Sequence, residues 1–212
     1  VINEKIEGKE ITPNLNEIIK NSMYVPNMYP QTAEGNSSDA ELISMNSIYP
    51  VKEGSTFFRF SNRNYPSIMK EFKANDYGTT AYHGDEGDFW NRNTVYPDMG
   101  IDKYEDITQY EEKEGTNYGM GLGDKYFLEE TAKKINQNDG KNVSYVISLT
   151  SHYPFVLPKD KKTLTLEKEM KDFTTYLKEG KEGKSLHLEH LEDDILNNGV
   201  NGARDAIHFL QS

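Results

Sequence analysis

The heptapeptide GNSSDAE at residues 35–41 places small hydroxyl side chains directly before a predicted helix that extends to about Asn46. Ser37 or Ser38 could cap this helix, with Asp39 and Glu41 favouring its positive end. A hydroxyl at a helix N-terminus can also act as a nucleophile, because backbone N–H groups there receive an anion such as phosphate. These seven residues alone favour the cap, so evidence for a nucleophile has to come from elsewhere in the chain.

Two histidines and the loop that follows the first of them supply further candidate groups. His83 ends one predicted strand and His152 follows another, while Trp90 and Arg92 lie in the loop after His83. Ligands of parallel sheets bind beyond the carboxyl ends of the strands, so both histidines are expected at the functional edge. Taken alone, each histidine would more often be an ordinary hydrogen-bonded residue, Trp90 a core residue and Arg92 a member of a surface ion pair.

The elements that must position these groups alternate between helix and strand. Helices are predicted after Thr12, with Pro13 in the first turn, after Ser67, and at about residues 126–136. Strands are predicted at 79–83 and at 143–150, and the second is apolar enough for the middle of a parallel sheet. This alternation predicts an α/β fold with a doubly wound sheet. Weaker helical patterns follow at 186–196 and 203–211.

Composition excludes several classes of protein. The 212 residues include 24 Lys+Arg and 35 Asp+Glu, a formal net charge of -11, and this acidic balance argues against a nucleic-acid binder. Cysteine is absent, which excludes a disulfide framework and a thiolate metal site and suits an exported bacterial protein. No run of about 18 apolar residues that could span a membrane is present.

Four stretches together resemble one family, the lipoteichoic acid synthase and phosphoglycerol transferase branch of the sulfatase and alkaline-phosphatase superfamily. They are TPNLN at 12–16, GNSSDAE at 35–41, HGDEGDFWNR at 83–92 and LTSHYPF at 149–155. The first is weakly specific, whereas FWNR and SHYPF are much more specific. The resemblance implies an alkaline-phosphatase/sulfatase-like fold, a mostly parallel sheet flanked by helices. Residues 1–212 would form part of one catalytic domain, with 164–212 weakly matched.

The resemblance implies a metal-bound nucleophile beside a glycerophosphate pocket. Ser37 occupies the position of the family's nucleophilic and metal-binding threonine, and Asn36 replaces a lysine. The ion would be Mn²⁺ or Mg²⁺, and the hydroxyl would attack the phosphodiester of phosphatidylglycerol and pass glycerol phosphate to a glycerophosphate polymer. The pocket would be lined by His83, Asp85, Phe89, Trp90, Arg92 and His152.

Two departures from the family pattern limit what this chain can do alone. The family also holds its metal through a glutamate upstream of the TPNL motif and through a Gly-Asp-His motif, and neither is found here. A lone hydroxyl does not hold a divalent ion. We therefore expect this chain to be a segment of such an enzyme and inactive or nearly so by itself. The parent protein is expected to be membrane-anchored, with its catalytic domain at the extracellular face of the cell membrane.

Two other interpretations stay open. The first is a sulfatase-like phosphodiesterase in which water is the acceptor, and the second is a non-catalytic remnant that binds glycerophosphate. Sulfatase activity itself is less favoured, because the motif Cys/Ser-x-Pro-x-Arg is absent around Ser37.

Overall fold

The computed structural model describes residues 2–6, 8–153 and 157–161. The chain forms two compact units, one of Val1–Met28 with Ser151–Ser212 and the other of Tyr29–Thr150. The helical patterns at 186–196 and 203–211 lie outside the described residues. The assignment of all 212 residues to one catalytic domain stays a prediction.

The first unit begins with a small hairpin and a helix. Strand β1 (Lys5–Ile6) pairs antiparallel with β2 (Lys9–Glu10), and helix α1 (Pro13–Lys20) begins at the predicted proline. The Thr12 hydroxyl and the Asn3 N–H both donate to Oδ1 of Asn16, at 3.0 and 2.9 Å. Asn16 is the buried residue of this helix, so its amide ties the chain before the hairpin to α1.

The second unit is built around a parallel sheet. Strand β3 (Gly78–His83) lies between β4 (Lys103–Glu105) and β7 (Asn142–Ile147), and Ala81 is paired with a tyrosine on each side. The strand predicted for the middle, β7, lies at the edge of the sheet in the described residues, and it ends at Ile147 rather than at Thr150. A short hairpin of β5 (Asn117–Tyr118) and β6 (Gly121–Leu122) accompanies the sheet.

Helices flank this sheet. The α-helices are α2 (Asn36–Asn46), α3 (Thr56–Arg59), α4 (Ile68–Ala74), α5 (Arg92–Val95) and α6 (Asp124–Asn136), with single 3₁₀ turns at Phe89–Asn91, Pro97–Met99 and Ile107–Gln109. Helix α4 starts as predicted, because the Ser67 hydroxyl accepts the N–H of Lys70 at 3.2 Å. No helix in the described ranges is both long enough and apolar enough to cross a bilayer.

Two apolar clusters cover opposite faces of the sheet. Ala81 belongs to one cluster and Tyr82 to the other, since successive strand side chains point to opposite faces. The first cluster joins the sheet to helices α2 to α5 through Leu42, Met45, Phe57, Tyr65, Met69, Val95, Tyr96, Met99 and Ile101. The second joins it to α6 through Tyr110, Leu122 and Phe127. The predicted sheet with helices on both faces is thus the observed core.

An ion pair joins α4 to the start of β4. Nζ of Lys73 lies 2.5 Å from Oδ1 of Asp102, and the Thr79 hydroxyl lies 3.2 Å from Oδ2. Burial acts to raise the pKa of Asp102, but the hydrogen bond and charge of Lys73 outweigh it, and the pKa is lowered. A carboxylate whose pKa is lower in the folded state stabilises the protein above its unfolded pKa, and this stabilisation is lost as the pH falls through the folded pKa.

We expect Asp102→Asn to lower the free energy of unfolding by less than about 1 kcal/mol at pH 7, because the pair is half exposed. The difference from the unmodified protein should shrink as the pH falls through the lowered pKa of Asp102, because the carboxylate then becomes protonated. Urea unfolding at several pH values measures the loss of stability and its dependence on pH. Asp139→Asn, in an exposed turn, is the charge-matched control. An unchanged difference at low pH would contradict this account.

Candidate active site

The two neighbouring serines of α2 lie in different environments. The helix begins at Asn36 and its N-cap is Gly35, so the prediction that Ser37 or Ser38 caps it is wrong. Ser38 is fully buried: its hydroxyl donates to the Gly35 carbonyl at 2.7 Å and lies 2.9 Å from Oγ of Ser55. Ser37 is exposed, and its hydroxyl makes no hydrogen bond to any residue that the structure describes. Of the two, only Ser37 presents its oxygen to a ligand.

Asp39 fixes the loop that leads to Ser37. Oδ2 of Asp39 accepts the backbone N–H groups of Ala33 and Gly35, at 2.9 and 3.0 Å. A Cβ atom at Gly35 would lie 2.6 Å from Cγ of Asp39, so only glycine fits beneath this carboxylate. The N-terminal turn of the helix is therefore stabilised by an acidic side chain that reaches back to the preceding loop.

His83 and Asp85 lie at the carboxyl end of β3, as predicted for His83. The His83 ring is 2 % exposed, and its Nδ1 donates to the Ile147 carbonyl at 3.0 Å, because a carbonyl oxygen can only accept. Oδ1 of Asp85 accepts the N–H of Glu86 at 2.8 Å, and its own carbonyl accepts the N–H of Ile107 at 3.1 Å. Both side chains are thus fixed by the ends of the strands and the loop that follows.

The loop after Asp85 contains a strained turn. Trp90 and Asn91 both have left-handed backbones, with φ of 58° and 59°, which is rare for residues other than glycine. Nδ2 of Asn91 donates to the Phe57 carbonyl at 2.9 Å. The half-buried Trp90 ring lies 5.7 Å from the Phe89 ring, edge to face, and 6.3 Å from the Phe58 ring. Strain of this kind accumulates at ligand-binding sites.

Arg92 forms a buried ion pair with Glu41. Nη2 lies 2.6 Å from Oε1 of Glu41, Nε lies 3.1 and 3.2 Å from the two carboxylate oxygens, and the Tyr96 hydroxyl donates to Oε2 at 2.7 Å. Burial acts to lower the pKa of Arg92, but the Glu41 carboxylate outweighs it and the pKa is raised. Nη1 donates to the Phe89 carbonyl at 3.2 Å. In this structure the partner of Arg92 is therefore a carboxylate.

His152 belongs to the other compact unit. It is exposed, and its Nδ1 lies 2.7 Å from the Tyr153 carbonyl. Because β7 ends at Ile147, His152 does not directly follow a strand as predicted. The structure therefore brings Ser37, His83, Asp85, Phe89, Trp90 and Arg92 into one unit, without His152.

The described residues do not form a metal site of their own. In residues 2–6, 8–153 and 157–161, no group of three or more histidine, cysteine or acidic side chains could hold an ion. Ser37 would contribute a single oxygen, whereas Mg²⁺ and similar ions need several ligands. Any metal at Ser37 therefore requires ligands from other parts of the protein.

Sequence reasoning missed Glu41 and Tyr96. Glu41 was interpreted only as a charge near the helix N-terminus, yet it falls between Ser38 and Met45 on the buried face of α2. A charged residue on the apolar face of an amphipathic helix indicates that it has a buried partner of opposite charge. The position of Glu41 could therefore have indicated such a partner from the sequence. The partner itself, 51 residues further along the chain, could not be identified from local pattern.

Comparison with known proteins identifies the family of this chain. The family model for sulfatases matches residues 3–196. The chain is 41% identical over 155 residues to a lipoteichoic acid synthase-like protein, YvgJ, of Bacillus subtilis, covering 73% of this chain and 25% of that protein. It is 37% identical over 174 residues to the lipoteichoic acid synthase of Staphylococcus aureus, covering 79% of this chain and 26% of that protein. The chain thus spans about a quarter of the length of these relatives, and the predicted family resemblance is confirmed.

Solved structures confirm the predicted fold class. The lipoteichoic acid synthase LtaP from Listeria monocytogenes superposes with a TM-score of 0.74 and 24% identity, over 99% of this chain and 48% of that one. The phosphoglycerol transferase GacH of Streptococcus pyogenes superposes with a TM-score of 0.56 and 18% identity, over 95% of this chain and 51% of that one. Its structure was solved in complex with sn-glycerol-1-phosphate. The parallel sheet with flanking helices is therefore part of a larger domain in these proteins.

The contrast between the two serines can be tested by stability. We expect Ser38→Ala to lower the free energy of unfolding by about 1–3 kcal/mol, because it removes two buried hydrogen bonds, one to the Gly35 carbonyl and one with the Ser55 hydroxyl. Ser37→Ala should change it by less than about 0.5 kcal/mol, since the side chain is exposed. Guanidinium unfolding of both variants measures the difference, and equal values would contradict these assignments.

Proposed function

The chain belongs to the sulfatase family, and we propose that the protein of which it forms part is a phosphoglycerol transferase of the cell envelope. The observation that carries the proposal is the exposed Ser37 in the first turn of α2, whose hydroxyl has no partner in the described part of the chain. An exposed hydroxyl in the first turn of a helix suits attack on a phosphate ester. Relatives named lipoteichoic acid synthase support the same reaction class.

In the proposed reaction, Oγ of Ser37 loses its proton and attacks the phosphorus of phosphatidylglycerol. The bond from phosphorus to the diacylglycerol oxygen breaks, and diacylglycerol leaves with the bonding electrons and takes up a proton. Glycerol phosphate is then covalently bound to Ser37 until a terminal glycerol hydroxyl of the polymer loses its proton and attacks the phosphorus. The bond from phosphorus to Oγ breaks, and the serine oxygen takes up a proton. Ser37 would also be one ligand of an Mn²⁺ or Mg²⁺ ion whose other ligands lie elsewhere in the protein.

The pocket for the glycerol phosphate is proposed to include the residues grouped around the strained turn. The faces of Phe89 and Trp90 would cover the glycerol carbons, while His83 would donate to a phosphate oxygen and Asp85 would accept a glycerol hydroxyl. Glu41 occupies the Nε and Nη2 side of Arg92, and Nη1 donates one N–H to the Phe89 carbonyl, so a phosphate would be contacted by the second N–H of Nη1. A structural neighbour solved with sn-glycerol-1-phosphate supports this class of ligand.

The substrate also suggests where the protein works. Phosphatidylglycerol is a membrane lipid, and a growing glycerophosphate polymer belongs outside the cell, so we place the catalytic unit at the extracellular face of the membrane. A membrane anchor would lie in another part of the protein. The net charge of -11 is consistent with partners other than nucleic acid.

The test uses the full-length protein with phosphatidylglycerol labelled in its headgroup, in liposomes containing an acceptor lipid. Ser37→Ala should lower the rate of label transfer at least about 1,000-fold, as expected when a nucleophile is removed. Ser44→Ala, an exposed serine of the same helix, should transfer at the unmodified rate.

The other outcomes identify the alternatives. Release of free labelled glycerol phosphate, with no transfer to acceptor, would assign the protein as a phosphodiesterase. Binding of sn-glycerol-1-phosphate with no turnover in the complete protein would assign it as a binding remnant. Transfer by Ser37→Ala at the unmodified rate would overturn the assignment of the nucleophile.

A further inference from the structure

We propose that Glu41 is a positioning residue of the glycerophosphate pocket, which aligns Arg92 and the strained turn of Trp90 with the helix that carries Ser37. This inference rests on the proposed function, because it assigns a role within the same site. It starts from the four hydrogen bonds that the Glu41 carboxylate accepts from Arg92 and Tyr96.

The carboxylate of Glu41 fixes the orientation of the guanidinium. Nε and Nη2 of Arg92 both point at it, which is the side-on geometry that holds a planar guanidinium against rotation. The Tyr96 hydroxyl donates to Oε2 at 2.7 Å, from one turn further along the segment that begins at Arg92. Nη1 is thereby directed towards the Phe89 carbonyl and the turn that contains Trp90.

Burial makes this arrangement rigid. The side chains of Arg92 and Glu41 are 1% and 4% exposed, so neither charge can turn to water if its partner moves. Burial and the nearby Glu41 carboxylate raise the pKa of Tyr96 well above its usual value, which keeps its hydroxyl protonated as a donor.

The ion pair between Glu41 and Arg92 also attaches one end of the strained turn to α2. Trp90 and Asn91 keep left-handed backbones between two attachments: Asn91 to the Phe57 carbonyl at 2.9 Å, and Arg92 to Glu41. A strained conformation persists only where the surroundings determine it. Without Glu41, the turn would lose its attachment to α2 and could relax away from the geometry that presents the indole ring.

The same residue connects this turn to the nucleophile. Glu41 lies four residues after Ser37 on α2, which is about one helical turn. Ser37 faces outward while Glu41 is buried, so a single helical turn carries both the proposed nucleophile and the anchor of the pocket. A change in the position of α2 would therefore move both together.

The test measures binding of sn-glycerol-1-phosphate and transfer kinetics in the full-length protein. Glu41→Gln keeps the size of the side chain and removes its charge; it should raise the dissociation constant and KM about 10–100-fold, since small misplacements are that costly. Manganese affinity should stay within about twofold, because Glu41 is not proposed as a ligand. Glu71→Gln, an exposed glutamate of α4, is the matched control and should match the unmodified protein.

A double-mutant cycle separates positioning from general stability. If Glu41 acts through Arg92, adding Glu41→Gln to Arg92→Ala should raise the dissociation constant no further. Should Glu41→Gln fail to fold, Glu41→Asp retains the charge but shortens its reach, and it should show the same coupling with a smaller rise.

The inference and the proposed function fail in distinguishable ways. Transfer that survives Ser37→Ala overturns the proposed function, whatever Glu41 does. Transfer that depends on Ser37, combined with an unchanged dissociation constant and KM in Glu41→Gln or Glu41→Asp, overturns only the positioning role. A lowered melting temperature with unchanged ligand binding would likewise reduce Glu41 to a residue of the core.

Discussion

The buried ion pair between Glu41 and Arg92 is the interaction on which the candidate site depends. Burying either charge alone is strongly unfavourable, and removing one partner of such a pair typically costs about 3–5 kcal/mol, because the other is left uncompensated. Here the carboxylate oxygens accept four hydrogen bonds, from Arg92 and from Tyr96. Helix α2 and the segment after the strained turn therefore cannot shift apart without exposing a charge to an apolar core that includes Leu42 and Val95.

The parallel sheet supplies the frame for this pair. The N–H of Leu122 donates to the Gly84 carbonyl at 2.8 Å, and a side chain at Gly121 would overlap that carbonyl, so the end of β3 is in close contact with β6. The start of α6 is attached to the chain after β7 in both directions: Thr150 accepts the N–H of Asp124, and Asp124 accepts the N–H of Leu149, each at 2.7 Å. The carboxyl ends of both strands are thus fixed before any ligand binds.

Local sequence patterns predicted the presence of individual helices and strands better than they predicted the order of the strands in the sheet. The strand that ends at His83 and the helix that starts after Ser67 follow from alternation and capping, and both are observed. Strand β7 was predicted for the middle of the sheet because it is apolar, yet in the described residues it lies at an edge. An apolar sequence indicates that a strand is buried, but it does not indicate a central position. A segment of the chain that packs against an edge strand can also bury it. Glu41 and Arg92 are 51 residues apart in the sequence, and local periodicity cannot predict a contact between residues so far apart.

The two serines show why residue type alone could not identify the nucleophile. Successive residues of a helix differ by about 100° in direction, so a helix that starts one residue later would place Ser38 in the exposed position that Ser37 occupies. The start is set by Gly35, where the Asp39 carboxylate occupies the space that a side chain would need. Ser38 is then directed inward to Ser55, and Ser37 outward. Which serine hydroxyl is exposed at this helix therefore depends on a glycine and an aspartate, because together they determine where the helix begins.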